Sequence, residues 1–160
     1  MQRNGQSVQM IPTLFLYLPN ASQENNVPLM MEIFIETRDE LHIIDLSEVL
    51  YLKANHNYTD FIFADGRMKS ELMNISFLES RIADMTSQRN IANPFVHVGR
   101  GLLINTIFIE VLSLKHQKIT FKTSPPASIP VSKLLLRGLK EKMSERLARE
   151  SYAVRGTSGD

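Results

Sequence analysis

Apolar and polar positions alternate with a period of two over short runs through most of this chain, the pattern of half-buried β-strands. Residues 32–37 set Ile33 and Ile35 against Glu32, Phe34 and Glu36, and a turn follows at Arg38, Asp39 and Glu40. Residues 41–46 and 48–53 continue as short strands. Residues 57–64 are aromatic and β-branched (Tyr58, Thr59, Phe61, Ile62, Phe63) and lead into Asp65 and Gly66, expected to supply the positive-φ positions of a tight hairpin before a returning strand at 67–72. The second half repeats the pattern at 95–98, 102–104, 107–114, 118–122 and 128–131, with a break at Pro125 and Pro126.

The period changes to helical twice. Ser76 and Glu79 stand at capping-box spacing ahead of an apolar stripe of Phe77, Leu78, Ile82 and Met85, which predicts a helix ending near Thr86. Ser132 is expected to cap a closing helix that carries Leu134, Leu135, Leu139 and Met143. The expected class is therefore mainly β: an elongated stack of antiparallel sheets of about ten short strands, with one intervening helix and a C-terminal helix. Residues 1–29 are expected to be a mostly flexible tail with an apolar patch at 14–18, residues 30–145 the folded domain, and residues 146–160 a second tail.

Composition narrows the function. The chain has 160 residues and no cysteine, which excludes disulfides and thiolate metal sites. No apolar run approaches the roughly 18–20 residues that cross a bilayer, and the N-terminal stretch lacks a basic leader, so a cytoplasmic protein without a membrane partner is expected. The four histidines have no H-E-x-x-H spacing, and G-x-S-x-G, Walker and G-x-G-x-x-G motifs are absent. Neither a catalytic residue, a metal nor a cofactor is expected.

The net charge of +1 hides a polarised distribution. Residues 1–95 sum to −5, residues 96–140 to +6 with Glu110 as the single acid, and residues 141–160 to zero. A basic segment of this kind suits a polyanion, because Lys and Arg contacts to phosphate supply the sequence-independent part of DNA affinity. A solvated basic face without a partner is the other reading.

Five segments in order resemble the LytTR DNA-binding domain, found at the C-terminus of LytR/AlgR-type response regulators. They are LSEVLYLKANHNY over 46–58, which follows the family's I-x-Y-I-E-A strand and polar loop; the hairpin turn at Asp65 and Gly66; residues 73–82 at the L-x-x-L-E helix; FVHVGRGLLIN over 95–105 at the phenylalanine, R-x-H-R-S and asparagine; and IPVSK over 129–133 at I-P-V-S-R. This chain departs from the pattern at His97, Gly99 and Gly101, which replace Arg, His and Ser, and at Lys133, which replaces Arg. Arg100 and Asn105 match. The two glycines either bring the backbone closer to DNA or loosen the loop.

The resemblance implies a transcriptional regulator that binds double-stranded DNA sequence-specifically by inserting loops into successive major grooves, with two copies on two repeated half-sites. It places the DNA face at residues 55–58, at residues 99–101, and around Ser132 and Lys133. Arg100 is the candidate for direct readout, since Arg bidentate to guanine O6 and N7 is the commonest specific contact. Lys133 is the candidate phosphate clamp. Asn55, His56 and Asn57 form either a reading tip or a plain turn, and Tyr58 either meets the DNA or packs inward. His97 either faces DNA or is a satisfied strand histidine. Ser132 is read either as a helix cap or as a phosphate contact. Lys115, Lys118, Lys122 and Arg137 are candidate phosphate contacts, and Asn105 is either a structural turn residue or a contact. The short N-terminal tail leaves no room for a receiver domain, so regulation through abundance or an unidentified regulatory protein is expected. The alternative from a different class is a non-catalytic protein-interaction module that kept the fold and lost specific DNA reading.

Overall fold

The computed structural model describes residues 31–158, and side chains to Arg149. These residues hold ten strands in three antiparallel sheets and two α-helices, so the expected class holds. The apolar patch at 14–18 and the N-terminal tail lie outside the described residues. The chain divides into two compact units after Ser47.

In the first unit, β1 (Glu32–Glu36) and β2 (Leu41–Asp45) form a two-stranded sheet with Phe34 opposite Ile43 and Ile33 opposite Ile44. Alternation places Ile33, Ile35 and Ile44 in the buried layer and leaves Phe34 and Ile43 exposed.

In the second unit, five strands run β5-β4-β3-β7-β6: β3 (Val49–Asn55), β4 (Tyr58–Phe63), β5 (Met68–Glu71), β6 (Phe95–Val98) and β7 (Leu102–Asn105). Three more run β10-β9-β8: β8 (Ile109–Ser113), β9 (Lys118–Phe121) and β10 (Ser128–Pro130). A core of Leu50, Val98, Ile104, Ile119, Phe121 and Leu136 joins these sheets to α2 (Lys133–Ser158). Tyr51 stacks on Phe121 with ring centroids 5.7 Å apart, and its burial raises the Tyr51 phenol above the usual tyrosine range.

Helix α1 (Ile75–Gln88) starts one residue before the expected cap. Asn74 is the N-cap, its Oδ1 accepting from Ser76 N at 2.7 Å. The buried stripe is Ile75, Leu78, Ile82 and Thr86, and Phe77 faces solvent with Arg81 over its ring. The buried Thr86 hydroxyl bonds back to the Ile82 carbonyl at 2.9 Å. The helix runs past Thr86 and closes on Asn90, at φ 54°, with Asn90 N bonded to Ser87 O and Ile91 N to Thr86 O, the paired bonds of a Schellman end. Asn74→Ala is expected to cost about 1 kcal/mol, read as a lower urea midpoint with an unchanged slope.

Two further expectations need adjustment. Only Gly66 has positive φ (93°) in the β4–β5 turn; Asp65 is bound instead through its carboxylate, which accepts from Arg67 N at 3.0 Å and Arg67 Nε at 2.7 Å. These bonds hold the Asp65 carboxyl below the usual carboxylate range. Helix α2 continues to Ser158, beyond the boundary expected at 145. Its first turns bury Leu136 and Leu139, and Arg146 ties it down through Thr106 Oγ1 at 3.3 Å. Just past that point Leu147, Ala148, Arg149 and Glu150 are residues of high intrinsic helix propensity.

Candidate nucleic-acid interface

The pairing of the five-stranded sheet decides which loops meet. β3 and β4 close through the pair Asn55 and Tyr58, leaving His56 and Asn57 as a two-residue tip with His56 at φ 56°. β6 and β7 close through Val98 and Leu102, leaving residues 99–101 as the turn. Because β3 also pairs with β7, with Lys53 opposite Leu102, both turns leave the same edge of the sheet. Ala54 N donates to Gly101 O at 2.8 Å and extends that ladder into the second turn.

The two glycines are explained by what presses on them. A Cβ on Gly101 would stand 3.0 Å from the Ala54 Cβ, and one on Gly99 would stand 3.0 Å from Leu135 Cδ1 in the first turn of α2. Gly99 also holds φ 69°, a left-handed value that glycine takes without penalty. The glycines let the turn fit between β3 and α2. Arg100, between them, is exposed.

The third segment follows from that packing. Ser132 is the N-cap of α2: its carbonyl accepts from Leu136 N at 2.9 Å and its Oγ from Leu135 N at 3.4 Å. Lys133 is exposed at the first helical position, and Leu134 beside it is 76% exposed. Val131 N donates to Gln117 O at 3.0 Å, which holds the β8–β9 turn, with its Lys115, His116 and Lys118, against the start of this helix. Lys122 leaves from the opposite end of β9, about 13 Å along the strand from Lys118 at the usual rise per residue. Arg137 is exposed one turn into α2 and borders an open groove with Leu114, Lys140 and Glu141.

Within this cluster the side chains fall into two groups. His56, Asn57, Tyr58, Arg100 and Lys133 are exposed, and their polar ends carry no hydrogen bond or ion pair among the described residues. Tyr58 is 47% exposed, so it does not pack inward. Asn55 and His97 are engaged by neighbours. Asn55 Nδ2 donates to the buried Asp60 carboxylate at 3.1 Å, which also accepts from Ser70 Oγ. His97 lies between Glu79 and the Arg100 carbonyl. Asn105 is structural: it is buried, donates to Val49 O at 3.0 Å and accepts from Ile107 N at 3.1 Å. Sequence reasoning missed Asp60 and Glu79, whose partners lie on other elements.

Over residues 39–144 the sequence matches the pattern of the LytTr DNA-binding domain. The chain belongs to that family. A solved structure similar to it is the LytTr DNA-binding domain of a Bacillus cereus protein described as a methyl-accepting/DNA response regulator, with 14% identity, a TM-score of 0.46, and coverage of 71% of this chain and 96% of that one. No curated protein matches. Membership gives the LytTr domain described here DNA binding and a part in transcription regulation as its coarse function, and the family is named for binding, not for catalysis. Among the described residues no helix is long and apolar enough to cross a membrane, and no group of three His, Asp or Glu is placed to hold a metal.

Proposed function

We propose that this LytTr domain reads double-stranded DNA through the three segments gathered at one edge of its sheet, inserting them into successive major grooves. The observation that carries the reading is the convergence of residues 56–58, Arg100 and Lys133, which are distant in sequence, with their polar ends uncommitted.

Each residue has a role fixed by its chemistry. Arg100 donates in bidentate fashion to guanine O6 and N7. Asn57 offers the amide that pairs with adenine N6 and N7, with Asn55 behind it, held by Asp60. His56, Tyr58 and Ser132 donate to phosphate or base edges, and Leu134 offers an apolar surface to a thymine methyl. Lys133, Lys115 and Lys118 neutralise phosphates and position the domain, with Lys122 and Arg137 on its flanks. Two copies occupy two repeated half-sites, and abundance or a partner protein sets their activity.

Lys133→Ala tests the division between positioning and reading. It is expected to weaken binding to all duplexes alike and to lower the slope of log affinity against log salt by about 1, measured by fluorescence anisotropy. A loss confined to one sequence would make Lys133 a reader instead.

A further inference from the structure

The His97 imidazole bridges two acceptors. Nδ1 is 3.0 Å from Glu79 Oε1 on α1, and Nε2 is 3.2 Å from the main-chain carbonyl oxygen of Arg100. A carboxylate and a carbonyl only accept. A neutral imidazole has one N–H, so it bonds one of the two and points a lone pair at the other. Only the imidazolium donates to both. The His97 and Glu79 side chains are 31% and 37% exposed, so protons exchange freely with solvent.

The carbonyl held this way belongs to the residue proposed to read DNA. The turn at 99–101 is anchored on the β3 side by the bond from Ala54 N to Gly101 O. Its other polar anchor is His97, which reaches across to α1. Of the charged residues on α1, Glu79 meets the ring, Arg81 lies over Phe77 and Asp84 is exposed. The strand neighbour on β7 is the apolar Leu103. Lys69 and Glu71 of β5, on the far side of the sheet, pair with each other at 3.6 Å. Helix α2 also packs on β6 and carries Lys133 and Arg137 in its first turns.

We propose that protonated His97 is a positioning residue: it ties the Arg100 turn to α1 through Glu79, so that the aim of Arg100 depends on pH. The proposal rests on the reading of Arg100 as a base contact. An arginine in this place, as in the sequence pattern the chain departs from, would donate to both acceptors at any pH. A histidine makes the second bond conditional within the range of about pH 5 to 8 in which imidazoles change charge.

The test has two arms. In the DNA-free 160-residue chain, the His97 ring nitrogens are followed by NMR from about pH 8 to about pH 5. Both become protonated while the Gly99 and Gly101 amide signals shift in step, and Glu79→Gln removes that common shift. In the second arm, affinity is measured for the strongest duplex that the chain enriches from a random pool. The unmutated chain tightens about tenfold as pH falls. His97→Arg holds the tight value throughout, and His97→Gln holds the weak one. His56 and His116 are unaltered in all three chains, so anything they contribute cancels in the comparison. A pH profile shared by the unmutated chain and His97→Gln, or glycine amides that ignore the ring, would overturn the proposal. A chain that enriches no duplex but shows ring and amides moving together leaves the His97 tie standing and overturns the reading of Arg100.

Discussion

Replacing Arg100 with alanine is expected to weaken binding to the preferred duplex by about 10- to 100-fold, the equivalent of one bidentate guanine contact of about 1–3 kcal/mol. Affinity for unrelated duplexes should fall only slightly, because Lys133, Lys115 and Lys118 remain to neutralise phosphate. The fold should be unaffected. The Arg100 side chain is exposed and makes no bond among the described residues, and the contacts that shape the turn belong to Gly99, Gly101 and the Arg100 backbone. Competition anisotropy with matched and scrambled duplexes separates the two effects. An equal loss on both would assign Arg100 to phosphate.

The largest effect on stability is expected from Phe121→Ala. Phe121 is fully buried on β9, stacks on Tyr51 of β3 and belongs to the core that α2 closes with Leu136 and Leu139. Truncation removes a large apolar side chain and leaves a void that the surrounding elements fill incompletely, at a cost of about 3–5 kcal/mol. That is a large share of the roughly 5–15 kcal/mol by which domains are stable. Because the same core seats α2, the lesion is expected to loosen Lys133 as well. Chemical denaturation gives the first result, and protection of the Leu135 and Leu136 amides from exchange gives the second.

The strands were legible because alternation, aromatic and β-branched content and turn residues agree along the chain; the observed ends lie within two residues of those expected. The start of α1 was harder to place, since Asn74 and Ser76 are both good caps and only the buried stripe distinguishes them. The end of α2 was obscured because a charged helix without an apolar stripe resembles a polar tail. At the candidate interface, candidate residues could be named from the sequence, but not their company. Nothing local indicates that Asn55 is tied to Asp60, that His97 meets Glu79 eighteen residues away, or that Leu135 fills the space a side chain at Gly99 would take. Those relations depend on pairing between distant strands. The glycines are the clearest case: nothing in the loop sequence shows that each also accommodates a neighbouring element.

The central claim is that this surface selects a DNA sequence. The most direct measurement is enrichment of duplexes from a random pool by the purified chain at two salt concentrations, with Arg100→Ala in parallel. The account predicts a repeated half-site that survives the higher salt and a guanine position that the mutation relaxes. Unselective binding that disappears at the higher salt would contradict it, leaving a basic surface that attracts DNA without reading it.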